Sequence, residues 1–188
     1  MTLMDDIVKA ALKKWPNVPD CYGWLALDAR GDWYMRDDRI QAAGPFPHIK
    51  GSRIEHDKLR EFIERNYLCD AQGQWFFQNG PQRVYVELEA APWVWRLTAQ
   101  PGSTPRITSH TGLAAQMQSS WLDEAGRLFV ATELGLGLVH TLDMETAADA
   151  VESAFWVPQE VAFDGLATRF KHRLKPAPSA PSSAHHIP

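Results

Sequence analysis

The stretch WLDEAGRLFVATELGLGLVH, Trp121 to His140, carries the pattern on which the fold turns. Around Gly126 it reads LDEAGRLFV, with Asp123 three residues before the glycine, Leu128 two after it, and Phe129 next. The same arrangement stands twice upstream. LDARGDWYM surrounds Gly31 with Asp28, Trp33 and Tyr34, and CDAQGQWFF surrounds Gly73 with Asp70, Trp75 and Phe76. An aspartate carboxylate caps a tight turn, and glycine takes the positive φ that closes it. Each segment is therefore expected to be a β-hairpin with an apolar return strand, near residues 24–36, 67–78 and 120–132.

The strands between these turns show period-two alternation. In RVYVELE, Val84, Val86 and Leu88 alternate with Arg83, Tyr85, Glu87 and Glu89, the pattern of a half-buried strand. In WVWRL, Trp93, Trp95 and Leu97 share one side, with Val94 and Arg96 on the other, and an antiparallel pairing of these two strands is expected. Helices have their own period. Met4, Ile7, Val8, Ala11, Leu12 and Trp15 form one helical face behind a Thr2–Asp5 capping pair, and Pro16 ends it. A second helix is expected from Ile54 to Arg65, capped by Ser52 and Glu55, with Leu59, Phe62 and Ile63 inward. A third starts at Asp143 and runs through METAADAVESAF. The fold class expected is α+β: a mostly antiparallel twisted sheet of hairpins with two or three packed helices. Residues 1–174 make the domain, and KPAPSAPSSAHHIP, residues 175–188 with His185 and His186, a flexible tail.

Composition bounds the function. The chain has 188 residues, enough for one domain with a proper core, and its net charge of −4 supplies no general attraction to nucleic acid or an anionic membrane. Cys21 and Cys69 are too few for a disulfide framework and read as reduced thiols. The acidic start, MTLMDDIVKAALKKW, does not suit a signal peptide, and no apolar run reaches membrane-spanning length. A cytoplasmic location is expected. The eight tryptophans suit a strand-rich core or an aromatic-lined groove.

Motifs for chemistry were sought by spacing. His110, Glu133, His140 and Asp143 would supply a metal centre if their strands converged, and a metal-dependent hydrolase would follow. They do not form a recognised ligand motif, and a hydrogen-bonded structural histidine is the simpler reading of His140. Cys69 occupies the place of Leu27 and Leu122 in the other hairpins, which predicts a buried, inert thiol, whereas Cys21 sits in a loop and is expected to be more exposed. Gly135 and Gly137 lack the third glycine of a dinucleotide loop. The aspartates of the three turns lack the oxygen cage of a calcium site. Binding remains as the leading class. Arg83, Tyr85, Trp93, Trp95 and Arg96 are interface-type residues on neighbouring strands, although Trp93 and Trp95 equally suit a core, and His48 lies in the connector QAAGPFPHIKG.

Two resemblances add to this. The segment LDEAGRLFVATELGLGLV is similar to the hairpin repeat of sensor-type β-propellers, but three copies do not close a propeller. Through KWPNVPDCYGWLALDARGDW, NYLCDAQGQWFFQNGPQRVYVELE, SHTG and the Asp123–Asp143 region, the chain resembles an uncharacterised proteobacterial family catalogued as a domain of unknown function. That resemblance covers roughly residues 5–155 and implies a cytoplasmic bacterial domain without assigning a catalytic residue. The expectation is a non-enzymatic protein that binds a partner protein or a small molecule without a cofactor, with a homodimer as one arrangement.

Overall fold

The computed structural model describes residues 4–180 of the chain, so Thr2, His185 and His186 lie outside it. The architecture is α+β, as expected, and the hairpins are divided between two sheets. The first half runs α1 (Asp6–Lys14), β1 (Cys21–Leu27), β2 (Trp33–Met35), α2 (Asp38–Ala43), β3 (Ser52–Arg53), α3 (Asp57–Arg65), β4 (Tyr67–Cys69), β5 (Trp75–Asn79) and β6 (Gln82–Leu88). The second runs β7 (Trp93–Thr98), β8 (Arg106–Ser109), β9 (Ala114–Ala115), β10 (Met117–Leu122), β11 (Leu128–Thr132), β12 (Gly135–Val139), a 3-10 turn at Thr141–Asp143, α4 (Met144–Glu152), β13 (Gln159–Glu160) and α5 (Phe163–Arg169).

Both sheets follow one plan. In the first, the meanders β1-β2-β3 and β4-β5-β6 join through a parallel β1–β6 pair, giving the order β3-β2-β1-β6-β5-β4. In the second, β7-β8-β9 and β10-β11-β12 join through a parallel β12–β7 pair, and β13 adds to the β10 edge. The order β9-β8-β7-β12-β11-β10 thus matches that of the first sheet. The Asp28 and Asp70 hairpins lie in the first sheet and the Asp123 hairpin in the second. The expected β6–β7 antiparallel pair does not form, because Glu89–Pro92 carries the chain from one sheet to the other. There the Glu89 amide donates to Leu27, and the Pro92 carbonyl accepts the Tyr67 hydroxyl at 2.7 Å.

The three turns are built alike. In each, one aspartate oxygen accepts the amides two and four residues on: Arg30 and Asp32 for Asp28, Gln72 and Gln74 for Asp70, Ala125 and Arg127 for Asp123. The glycine that closes each has φ of +83°, +78° and +76°. Ser109 makes the same turn with its hydroxyl, accepting Thr111 and Leu113. Asp123 is buried and also accepts the Arg127 Nε at 2.8 Å. Asp123→Ala leaves those amides without an acceptor and is expected to cost about 2 kcal/mol. Urea denaturation checks this, and a loss below about 0.5 kcal/mol would remove the turn from the account.

Between the sheets lies one core. Leu25, Trp33, Tyr67, Trp75 and Phe77 of the first half meet Trp93, Trp95, Ile107, Val130 and Val139 of the second. Tyr67 packs edge-on to Trp33 and Trp93, with ring centroids 5.2 and 5.4 Å apart, and Trp75 does so to Trp93 at 5.2 Å. On the other face of the second sheet, Trp121, Phe129, Leu136 and Leu138 are covered by Leu166 of α5. The outer face of the first sheet is left with the alternate residues of its strands, Arg83 and Tyr85 among them.

Helix starts differ from expectation where tertiary pairing competes. Ser52 and Arg53 pair with Met35 and Tyr34, so the Ser52–Glu55 cap does not form. Instead α3 begins later, with His56 Nδ1 accepting the Leu59 amide at 3.3 Å. The Asp5 carboxylate caps nothing in α1 and turns to Arg65 at 3.3 Å. The chain also stays on the body beyond residue 174: the Leu174 carbonyl accepts Leu88 N–H, Pro176 is buried, and Ala177 N–H donates to Gln74 Oε1 at 2.8 Å.

Candidate functional site

The binding residues singled out by sequence separate into four places. Trp93 and Trp95 are core, 3% and 0% exposed, with indole N–H groups donating to the Leu134 and Val130 carbonyls. They present no binding face; the first sheet covers them. Arg96 lies on the opposite side of β7 and pairs with Asp143 at 2.6 Å, an ion pair that also receives the Leu97 amide. His48 is exposed in the connector before β3. Arg83 and Tyr85, in contrast, border one cleft.

That cleft has a volume of about 560 Å³ and opens on the outer face of the first sheet. β6 supplies Arg83 and Tyr85, β1 supplies Tyr22, and the Asp70 turn supplies Asp70, Gln72 and Gln74. Tyr22 and Tyr85 stack with ring centroids 4.7 Å apart and planes 2° from parallel. The Tyr85 hydroxyl donates to Asp70 Oδ2 at 2.9 Å and accepts Arg83 Nη1 at 3.4 Å. The Arg83 guanidinium lies over the Phe76 ring, 4.3 Å from its centroid, so its charge is held at the rim by a π face.

These contacts set the charge of the site. Burial, and then the Asp70 carboxylate, push the Tyr85 hydroxyl up to about 12. Burial, with Asp20 and Asp70 nearby, also raises Tyr22. Burial works to raise Asp70 as well, but the Gln74 amide, Tyr85 and the Gln74 side chain outweigh it and hold that carboxylate lower. The phenols of Tyr22 and Tyr85 are therefore kept protonated and the Asp70 carboxylate ionised at neutral pH, with the Gln72 and Gln74 amides and the Arg83 guanidinium beside them. Such a surface hydrogen-bonds peptide groups and stacks on flat or ring-shaped apolar groups.

The metal set expected as an alternative is not assembled: among the described residues, no three histidine, cysteine, aspartate or glutamate side chains are placed to hold a metal ion. His110 Nδ1 accepts the Val94 amide, and its ring sits among Trp33, Tyr67 and Trp93. His140 Nδ1 accepts the Leu142 amide, Asp143 is taken by Arg96, and Glu133 accepts Gln116 N–H. Cys69 is exposed rather than buried, because β4 is an edge strand whereas Leu27 sits on central β1. Partial burial of the sulfur, and then Asp70, push its thiol up to about 11, so little of it is thiolate at neutral pH. Cys21 is half-buried, and burial raises it too.

Sequence reasoning missed Tyr22, Gln72, Gln74 and the end of the chain. Tyr22 was hidden by a register shift in β1 between Cys21 and Leu25, where Gly23 has φ +83° and breaks the alternation. Pro178 and Ser179 also line the cleft, and the prolines of KPAPSAPSS, set aside as a tail, were the signal for them.

The profile of the family described as "Protein of unknown function (DUF2946)", model DUF2944, matches residues 4–186. The chain belongs to that family. The match takes in the C-terminal segment that the resemblance read from sequence had left outside. No curated protein matches the chain. Among solved structures, it is similar to a DUF1285 family protein from Silicibacter pomeroyi DSS-3, with a TM-score of 0.50 and 14% identity over 79% of this chain and 78% of that one. It is also similar to a DUF1285 family protein from Shewanella baltica OS155, with a TM-score of 0.46 and 17% identity over 67% of this chain and 91% of that one. The first likeness shows a shared fold. No helix among the described residues is long and apolar enough to cross a membrane.

Proposed function

We propose that this chain is a non-enzymatic binding protein, and that its cleft takes an extended, proline-containing segment of a partner protein. One observation carries the reading. The chain's own segment Lys175–Ser179 leads into the cleft, with Pro176 buried, Ala177 N–H on Gln74 Oε1 at 2.8 Å, and Pro178 and Ser179 sharing its lining with Tyr22, Tyr85 and Arg83. Proline fixes φ and biases its neighbours toward extended backbone, so a segment with prolines at 176, 178 and 181 gives up little freedom on docking. Its backbone amides are free to bond outward, as Ala177 does. Half-buried Tyr22, braced by the Tyr85 ring stacked behind it, offers a flat face of the kind against which proline rings pack in other proline-recognition grooves. Two free thiols, Cys21 and Cys69, suit a reducing compartment such as the cytoplasm.

The test uses a fluorescein-labelled synthetic peptide of the sequence LKPAPSAPSS and the full chain. Saturable anisotropy is expected, weakened about tenfold or more by Tyr22→Ala or Arg83→Ala at unchanged circular dichroism. Ala177→Pro removes the N–H that ties the resident segment to Gln74 and should tighten peptide binding, since the tethered competitor is loosened. Flat anisotropy with both the unaltered chain and Ala177→Pro, or binding indifferent to Tyr22 and Arg83, contradicts the reading.

A further inference from the structure

A second site lies at the mouth of the other sheet. The second sheet curls so far that β9, at one edge, passes through the single residue Gln116 into β10, next to the other edge. The gap left by this near-closure is a groove of about 570 Å³. Its lining includes Ile107, Ala115 and Met117, with Arg106 and Glu133 also present. Trp156, 1% exposed, forms part of the lining.

Three unmet demands meet there. The Trp156 indole N–H is buried and has no acceptor among the described residues. Buried donors are nearly always paired, and this one belongs to a ring that lines the groove, so the ring reports on what enters there. Arg106 is exposed and, among the described residues, has no carboxylate within ion-pair distance. Glu133 is likewise without a cationic partner there, with one oxygen on the Gln116 amide at 2.9 Å. A cation and an anion around an apolar floor complement a small zwitterion.

We infer that this groove binds a free α-amino acid with an apolar side chain. Its carboxylate takes Arg106, its ammonium takes Glu133, and its side chain lies on Ile107, Ala115 and Met117 beside Trp156. A mouth of a curled sheet lined by apolar side chains and a few polar groups is a usual place for such a ligand. This site is separate from the cleft at Tyr22 and Tyr85, and neither proposal depends on the other.

The experiment follows the Trp156 indole resonance in proton–nitrogen NMR of the full chain, titrated with L-leucine, L-methionine, L-valine and L-phenylalanine. Saturable movement of that resonance with at least one of them is expected. N-acetyl-leucine and leucine amide, each lacking one charge, should bind about tenfold or more weakly, as should L-leucine to Arg106→Ala or Glu133→Gln. No movement with any of the four at about 10 mM overturns the inference, given that such weak binding falls outside a specific site. Equal binding of the one-charge analogues overturns it as well.

Discussion

Alanine at Gly137 is expected to lower stability by about 3 kcal/mol and the melting temperature by roughly 9 °C. Gly137 lies on β12, paired with Val130 on one side and Trp93 on the other, at the middle of the second sheet. A Cβ there would overlap the indole of Trp95, with even Cδ1 only 2.8 Å away. Trp95 has nowhere to go. It is fully buried, its N–H is held by the Val130 carbonyl at 2.9 Å, and its ring stacks on Trp93 with planes 12° apart. Close-packed interiors transmit such an overlap into backbone shifts. The requirement is for space rather than for positive φ. Trp95→Phe makes room, so the double variant should recover about 1 kcal/mol relative to the sum of the two single losses. Thermal and urea unfolding of the four proteins check this, and an unchanged melt for Gly137→Ala would mean that Trp95 does not occupy that space.

Acid should destabilise the protein well above the range in which carboxylates titrate. Burial pushes His110 down to about 3 and His172 down to about 4. His110 keeps its Nδ1 for the Val94 amide among three aromatic rings, and neither ring nitrogen of His172 has a partner among the described residues. Both are neutral in the folded chain near pH 7. As the pH falls below about 6.5, the unfolded chain binds protons on both histidines that the folded chain does not bind. Stability then declines by up to about 1.4 kcal/mol per pH unit for each, continuing toward pH 4 for His172 and 3 for His110. Between pH 7 and 4.5 the loss is expected to be about 3–5 kcal/mol. Asp28, Asp70 and Asp143, held low by hydrogen bonds that outweigh their burial, act in the same direction only once the pH drops toward 4. His172→Phe removes one buried unpaired ring and should flatten the profile while raising stability at pH 4.5. Urea midpoints across this range test it; an identical pH profile for His172→Phe would show that His172 is solvated.

What the sequence disclosed was local. Asp-x-x-Gly turns are legible because the carboxylate, the amides it binds and the glycine lie within five residues. The alternation of β6 was legible because Val86 and Leu88 face one core while Arg83 and Tyr85 face out. What depends on distant pairing was not. Nothing near Ser52 announces that it pairs with Met35, which displaced the cap of α3. Nothing in Glu89–Pro92 says that the chain there leaves one sheet for another, so β6 and β7 looked like neighbours. Cys69 and Leu27 hold equivalent hairpin positions, yet one lies on an edge strand and the other at the centre. α2 and α5 span six and seven residues, too few for a helical period to stand out. Of the site, two residues on one strand were seen. Tyr22 and the prolines that complete it come from strands and turns that only the parallel β1–β6 pair and the returning C-terminus bring together.

The most direct measurement of the central proposal is a proton–nitrogen NMR titration of the labelled full chain with the unlabelled LKPAPSAPSS peptide. The account predicts saturable shifts at Tyr22, Gln72, Gln74, Arg83, Tyr85 and Ala177, with the Trp156 indole unmoved. Saturation without shifts at those positions, or no shifts at all in both the unaltered chain and Ala177→Pro, would contradict it.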